Sequence, residues 1–346
     1  MVCEYMKKIL IFLLVSITIV FFFLLSREEL LLGKTQLSKV TEIAKKEEVN
    51  EDHPSIRYSN SLWNYLGNNI EEFEIEFGKA VRTDPTIYGY EWKIYHNQNY
   101  YVQVGVMDKK IVTLYTNTQE MDLRPFAIGQ TYEELKGNHD LNNTIEFDHL
   151  RFKLTEEDIK ERPVVKLDEN KFAQIYIDIY TEQIAGIRFM NKDVFEMQKP
   201  YEVYYYGNIK ESTNPVGDKW KKIEAGMDQQ IFDLTNEVRK SYGFGLLKWD
   251  DKASTAAKAH SKDMEQQNYF SHYRLNGDGL QERLMEAGAY YLSAGENIAA
   301  NYVDVPAVMH GWLNSEGHRE ALLKKEYTHL GTGTFKLYYT QNFLEK

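Results

Sequence analysis

The segment "SAGENIA", residues 293–299, places one ionisable residue, Glu296, between small and apolar neighbours. Burial of a charged group is costly unless that group is paired and hydrogen-bonded. A carboxylate in this setting therefore needs partners from elsewhere in the chain. Two further segments with ionisable residues lie near it in the sequence, "YFSHY" at 269–273 and "WLNSEGHREALL" at 312–323.

Regular elements are predicted on both sides of these segments. In "MDQQIFDLTNEVRKSYG" (227–243) and "DDKASTAAKAHSKDM" (250–264), apolar residues recur every three or four positions, which predicts two amphipathic helices. His260 lies on the apolar face of the second helix, so we expect a buried, hydrogen-bonded structural histidine there. At the end of the chain, "HLGTGTFKLYYTQNF" (329–343) is rich in small and aromatic residues and predicts one or two buried strands.

Six motifs follow one another in this region: "LTNEVR" (234–239), "LKWDDKASTAAKAHSKDM" (247–264), "YFSH" (269–272), "GENIA" (295–299), "WLNSEGHR" (312–319) and "YYTQNF" (338–343). In this order they resemble the CAP superfamily, which groups cysteine-rich secretory proteins, antigen 5 and pathogenesis-related proteins. The resemblance implies that residues 226–346 form an α-β-α sandwich. It also implies a groove that holds two histidines and two acidic residues.

Carried over by motif, the histidine pair of the groove is His272 and His318, and its first acidic member is Glu296. The fourth position, acidic in many eukaryotic relatives, is Ser315 here. Glu316 is adjacent to Ser315, but in a helix its side chain would point elsewhere. The resemblance therefore predicts a groove with only one of its two acidic residues.

This residue set suits a weak site for zinc or another divalent metal. Two neutral imidazoles, those of His272 and His318, can bind the metal while water fills the other positions. Glu296 can orient a histidine or act as general base on bound water. Alternatively, Glu296 only holds loops together through hydrogen bonds to the backbone. His310 and His329 are candidates for a third ligand if the fold brings them close.

The region 61–200 contains an internal duplication. "GNNIEEF" (67–73) matches "GQTYEEL" (129–135), and "VQVGVMDKKI" (102–111) matches "IYIDIYTEQI" (175–184). The first pair predicts short helices, and the second predicts β-hairpins with one buried face. This small α+β module resembles the CAP-associated N-terminal domain of membrane-anchored proteins of spore-forming Gram-positive bacteria. Residues 201–225 are predicted to link it to the CAP domain.

The N-terminal residues 1–26 are predicted to form a signal-anchor or transmembrane helix. The apolar run 9–25 carries no charge and follows Lys7 and Lys8, which favours a cytoplasmic N-terminus and an extracytoplasmic remainder. Cleavage as a signal peptide, with secretion, is the alternative, although no small-residue cleavage pattern follows. Residues 27–60 are polar and predict a stalk. The predicted fold class is therefore α+β, with a membrane helix, a duplicated module and a C-terminal CAP fold.

Composition and net charge exclude some classes of function. The net charge of −11 argues against nucleic-acid binding, which relies on lysine and arginine to neutralise phosphates. Cys3 is the only cysteine, so an intrachain disulfide and a cysteine-ligated zinc site are excluded. The leading hypothesis is a non-enzymatic binding module of the cell envelope, with a membrane anchor and an envelope ligand or protein partner. One alternative is a metal-dependent peptidase or envelope amidase with Glu296 as base. Another is a binder of lipid or hydrophobic small molecules.

Overall fold

The computed structural model describes residues 61–346, which belong to one compact unit, Ile56–Lys346. The predicted membrane helix at 1–26 and the stalk at 27–60 lie outside the described residues. Within residues 61–346, no helix is both long enough and apolar enough to cross a membrane.

The N-terminal half begins with a short 3₁₀ helix, Leu62–Tyr65, and is built on antiparallel strands. Its elements are α1 (Ile70–Phe77), β1 (Arg82–Pro85), β2 (Glu91–His96), β3 (Tyr101–Met107), β4 (Lys110–Thr116), α2 (Tyr132–Asn138), β5 (Thr144–Phe147), β6 (Leu150–Lys153), α3 (Glu156–Glu161), β7 (Val164–Lys166), β8 (Lys171–Asp178), β9 (Gln183–Asn191), α4 (Lys192–Gln198) and β10 (Glu202–Tyr205). A seven-stranded sheet has the order β1-β2-β3-β4-β9-β8-β7, and a three-stranded sheet has the order β10-β6-β5.

The two matching sequence copies form matching structures. The predicted hairpins are β3–β4 and β8–β9, and both contain a register shift in the first strand. Each copy also ties the start of its helix to its own hairpin. Gly67 N donates to Ile111 O, and Gly129 N donates to Ile184 O, both at 2.8 Å. Since β4 pairs with β9, the two hairpins lie side by side in the large sheet. The copies therefore share a hydrogen-bonding pattern as well as a sequence pattern.

The C-terminal half is a mixed α/β structure. Its elements are α5 (Asp218–Ser241), β11 (Lys248–Trp249), α6 (Asp251–Gln267), α7 (Leu280–Glu286), β12 (Ser293–Ala300), α8 (Val305–Leu313), α9 (Glu316–Leu323), β13 (His329–Phe335) and β14 (Tyr338–Glu345). The sheet order is β11-β13-β14-β12. The terminal segment predicted to hold one or two strands forms two, β13 and β14.

Strand β13 shows how helices cover both faces of this sheet. A Cβ atom added to Gly331 would collide with the α6 backbone, so this face lies directly against α6. The next residue, Thr332, faces the other way because side chains alternate along a strand. Its hydroxyl donates to Asp228 O of α5 at 2.8 Å. The predicted α-β-α layering therefore follows from the alternation in "GTGT".

The segment predicted as a linker, 201–225, contains regular structure. Strand β10 occupies its start, and α5 begins at Asp218. Gly226, which directly precedes the first predicted helix, lies inside α5. A Cβ there would lie only 2.7 Å from Asp84 Cβ of the N-terminal half. This glycine therefore permits a close contact between the two halves rather than a turn.

The two halves share one interior. Arg188 of β9 is completely buried and donates to both carboxylate oxygens of Asp304 at 2.6 and 2.7 Å. Tyr115 of β4 hydrogen-bonds to His310 of α8 at 2.8 Å. Buried apolar residues from both halves belong to a single continuous cluster, which includes Trp92 on one side and Trp312 on the other. Packing and polar contacts thus join the halves across this interface.

Candidate functional site

Glu296 and His272 form a direct pair. Strand β12 holds Glu296, whose side chain is only 4% exposed, while His272 lies in the loop after α6 with half of its side chain exposed. His272 Nδ1 lies 2.9 Å from Glu296 Oε1. Because a carboxylate can only accept, Nδ1 carries the proton in this bond. In the neutral ring, Nε2 is then left with a free lone pair in an exposed position.

A third residue completes this pair. Arg283 of α7 is fully buried and donates through Nη2 to Glu296 Oε2 at 2.7 Å. Through Nη1 it also donates to the backbone oxygen of His272 at 3.0 Å. Burial lowers the pKa of Arg283, and the charge of Glu296 acts in the opposite direction. Each carboxylate oxygen of Glu296 therefore accepts a hydrogen bond, one from His272 and one from Arg283. These two residues are the partners that the carboxylate in "SAGENIA" requires. The sequence motifs did not indicate Arg283.

His318 and Ser315 form a second pair at the start of α9. His318 Nδ1 lies 2.8 Å from Ser315 Oγ, and Asn297 of β12 donates to His318 O at 3.0 Å. Burial lowers the pKa of His318, and the electrostatic interaction with nearby His272 lowers it further. Asn297 thus ties α9 to the strand that carries Glu296. Ser315 therefore contributes a hydroxyl, and not a carboxylate, to this pair.

The structure brings the two pairs into one neighbourhood. Glu296 and Asn297 are consecutive in β12, so β12 contacts the His272 loop through one residue and α9 through the next. Glu316 is exposed in the first turn of α9, outside the hydrogen bonds that connect the pairs. Both imidazoles in this neighbourhood have an Nδ1 atom that is hydrogen-bonded to a protein side chain.

The two candidate third ligands do not join this groove. His310 is buried between the halves, where Nε2 bonds to the Tyr115 hydroxyl and the ring stacks on Tyr176. Burial lowers its pKa to about 3. His329, the first residue of β13, hydrogen-bonds to Thr328. Strand β14 lies between β13 and β12, the strand that holds Glu296. Across the described part of the chain, no set of three His, Cys, Asp or Glu side chains is arranged to hold a metal ion.

His260 supports the site from the core. It is fully buried, as predicted, and its Nε2 lies 3.0 Å from the backbone oxygen of Ser271, the residue before His272. Since a carbonyl only accepts, Nε2 donates in this bond. Burial lowers the pKa of His260 to about 4, which keeps the ring neutral. The residue thus fixes the loop that presents His272.

Two neutral imidazoles are a donor set that a divalent metal can use. A metal-binding histidine usually donates its other ring nitrogen to a carboxylate or another acceptor, which sets the tautomer. His272 has this arrangement with Glu296. The bond between His318 and Ser315 does not set a tautomer, because a hydroxyl can donate or accept. The Nε2 atom of His272 would be the one to bind the metal. Glu296 lies behind His272 in this arrangement, as an orienting group.

Comparison with known proteins assigns the fold. The family described as CAP-associated N-terminal matches residues 66–201, and the cysteine-rich secretory protein family, CAP, matches 232–343. The uncharacterized membrane protein YlbC of Bacillus subtilis (strain 168) is 39% identical over 293 residues, covering 83% of this chain and 84% of that protein. This chain belongs to the CAP family and carries the CAP-associated domain, which confirms the resemblance seen in the sequence.

Two solved structures are similar over most of the chain. One is an extracellular protein containing a SCP domain from Bacillus anthracis str. Ames, with 38% identity and a TM-score of 0.79, covering 87% of this chain and 99% of that one. The other is a cysteine-rich secretory protein from Staphylococcus aureus subsp. aureus Mu50, with 25% identity and a TM-score of 0.75. It covers 83% of this chain and 94% of that one.

Proposed function

We propose that this chain is a membrane-anchored, extracytoplasmic binding module of the cell envelope, and that the groove around His272 and His318 receives its ligand. The uncharged apolar run at 9–25 supports the anchor. Two relatives support the same location, because YlbC is named as a membrane protein and the Bacillus anthracis protein as an extracellular one.

The observation that carries the binding function is the burial of Glu296 behind His272. A general base must lie within hydrogen-bond reach of the proton that it removes. The Glu296 side chain is only 4% exposed, and its two oxygens accept from His272 and Arg283. This carboxylate therefore orients His272 and leaves the imidazole Nε2 for a ligand.

A divalent metal such as zinc fits this function as a bridge. His272 and His318 would hold it, and it would polarise an oxygen of a bound ligand or water. The remaining positions would be open to the ligand, since two protein ligands leave a tetrahedral ion incomplete. An anionic envelope ligand could then bind to an acidic protein, because the metal would offset the repulsion.

The second candidate is a metal-dependent hydrolase, a peptidase or envelope amidase. The His272–Glu296 pair favours it, because histidine–carboxylate pairs are typical of catalytic metal sites. In that mechanism water would have to reach the Glu296 carboxylate, whose side chain is only 4% exposed. Substitution of Glu296 by glutamine would then abolish turnover and leave metal binding nearly intact.

Zinc titration calorimetry tests the metal-binding groove. The unit Ile56–Lys346 is compact, and a solved relative of similar extent covers most of it. We expect saturable zinc binding in the unaltered unit and its loss in His272→Ala/His318→Ala. The matched control, His149→Ala/His329→Ala, removes two histidines outside the groove and should bind as before.

The outcomes separate the candidates. Equal zinc binding in both double variants would place the metal elsewhere and contradict the groove proposal. Hydrolysis of an envelope peptide or amide that is lost in Glu296→Gln, with zinc binding kept, would replace the binding function by the hydrolase.

A further inference from the structure

The N-terminal half contacts the part of the CAP domain that carries His318. This part, residues 313–319, joins α8 to α9 and is called the α8–α9 corner. Asn314 in the corner donates to Ile177 O of β8 at 2.8 Å and accepts from Ile179 N at 3.2 Å. One side chain of the CAP domain thus completes backbone hydrogen bonds at the end of β8, immediately before Ser315.

Asp178 makes the strongest of these contacts. Its side chain is 1% exposed, and both carboxylate oxygens accept from Arg319, at 3.0 and 2.9 Å. The hydroxyl of Tyr242, the residue after α5, also donates to this carboxylate. Bidentate arginine–carboxylate bonds fix orientation as well as distance. Because Arg319 directly follows His318, Asp178 fixes the helical turn that presents the groove imidazole.

Arg319 is held on several sides. Nη1 also donates to Leu313 O at 3.1 Å, which closes the corner on itself. The guanidinium lies over the ring of Tyr180, 4.7 Å from its centroid, and over Tyr242 at 5.1 Å. Tyr180 belongs to the β8–β9 turn, so Asp178 and Tyr180 of one hairpin both contact the Arg319 guanidinium. Such packing restricts Arg319 to one orientation.

We propose that Asp178 is a positioning residue for the groove, and that the N-terminal half completes the groove by fixing the α8–α9 corner. The groove geometry then depends on the docking of the two halves. The inference rests on the proposed function in one respect, namely that this groove is the site that binds the ligand.

The two copies differ at the position of Asp178. Asp178 pairs with Gln183 at the end of the second hairpin, and Met107 pairs with Lys110 at the end of the first. The register shift just before these residues also matches in the two hairpins. By this register Met107 takes the place of Asp178, and its side chain has no carboxylate to accept from an arginine.

A matched control exists at the same interface. Asp84 of β1 is also almost fully buried and also belongs to the N-terminal half. It pairs with Arg82 and accepts from Gln230 of α5 at 2.9 Å, so it contacts the CAP domain away from the corner. Asp84→Asn should weaken the interface in a general way, whereas Asp178→Asn should act on the corner.

Nuclear magnetic resonance of labelled histidine rings in the unit Ile56–Lys346 tests the proposal. We expect Asp178→Asn to shift the ring signals of His318 and to change its hydrogen bond to Ser315, because asparagine has one acceptor oxygen and adds a donor facing Arg319. Asp84→Asn should leave those signals in place. Zinc affinity should fall about tenfold in Asp178→Asn only, as for other groups that orient a ligand.

Each outcome decides the proposal. Unmoved His318 signals in Asp178→Asn, or equal shifts in both variants, would reduce Asp178 to an ordinary interface residue. If Asp178→Asn does not fold, Arg319→Lys keeps the charge, removes the bidentate bond and must produce the same His318 shift. If the unaltered unit binds no zinc, the metal site is wrong, yet the ring signals still decide the role of Asp178.

Discussion

At the scale of single residues, the site depends on a buried ion pair. Glu296 and Arg283 are both almost inaccessible to solvent, and Arg283 Nη2 donates to Glu296 Oε2 at 2.7 Å. A buried ion pair adds little net stability, because desolvation of both groups is costly. Removal of one partner is a different matter, since it leaves an uncompensated charge in the interior. The pair therefore orients His272 and makes the site sensitive to single substitutions.

Arg283→Met should lower the free energy of unfolding by about 3 kcal/mol, because it leaves the Glu296 carboxylate buried without its cation. The double variant Arg283→Met/Glu296→Leu should be more stable than Arg283→Met alone, since no buried charge is left. Urea unfolding of the unaltered protein, Arg283→Met, Glu296→Leu and the double variant measures these differences. A double variant that loses the full sum of the two single effects would show that the residues do not act as a pair.

Motifs identified the residues of the groove, but not the residue that holds them. His272, Glu296, Ser315 and His318 occur in recognisable motifs, and the structure places them in two hydrogen-bonded pairs. Arg283 lies in "LQERLME", where an arginine is by default a surface residue. The available signal was indirect, because a carboxylate among apolar neighbours requires a donor. The roles of His272, Glu296, Ser315 and His318 in metal binding or catalysis stay predictions.

At the scale of elements, close packing between α6 and β13 explains the glycines of "HLGTGTF". Cβ atoms at Gly331 or Gly333 would overlap the α6 backbone at Ser254 and Lys258. Backbone atoms cannot rotate away as a side chain can, so the strand requires glycine at alternate positions. This spacing lets the helix lie directly on one face of the sheet, beside the strands that support the groove.

Gly333→Ala should destabilise the protein by about 2–3 kcal/mol, because the helix and strand must move apart. Gly137→Ala is the matched control. Gly137 lies in α2 with no atom near its would-be Cβ, and helical Gly→Ala changes are stabilising by about 0.5–1 kcal/mol. Thermal unfolding of both variants measures the contrast. Equal, small effects would mean that α6 and β13 do not pack closely in solution.

Local patterns predicted the elements better than their ends. Period-two alternation located both hairpins, and the helical period located α6. The first predicted helix began at Met227, whereas α5 begins at Asp218 and contains Gly226. The tyrosines of the segment before it differ in exposure. Tyr201 is buried, whereas Tyr204, Tyr205 and Tyr206 are exposed on and after strand β10.

At the scale of the whole molecule, the interface between the halves could not be predicted from the sequence. Arg188 and Asp304 are 116 positions apart, and no local pattern pairs them. The same holds for Tyr115 with His310, which the sequence offered as a metal ligand. Contacts over such long sequence separations depend on tertiary packing. A histidine at a helical spacing that suits a metal ligand can therefore hydrogen-bond to a residue outside the predicted site, as His310 does with Tyr115. The continuous core implies that the two halves unfold together.

The Arg188–Asp304 pair tests that cooperativity. In the unaltered unit Ile56–Lys346, hydrogen exchange in β3 and in β14 should lose protection at the same urea concentration. Arg188→Met leaves Asp304 buried and unpaired at the interface. It should lower stability by about 3–5 kcal/mol and separate the two transitions. Lys192→Met, which removes the exposed ion pair with Asp148, should change stability by less than about 1 kcal/mol. Two transitions in the unaltered protein would show that the shared core does not couple the halves. A single unchanged transition in Arg188→Met would show that their coupling does not depend on this ion pair.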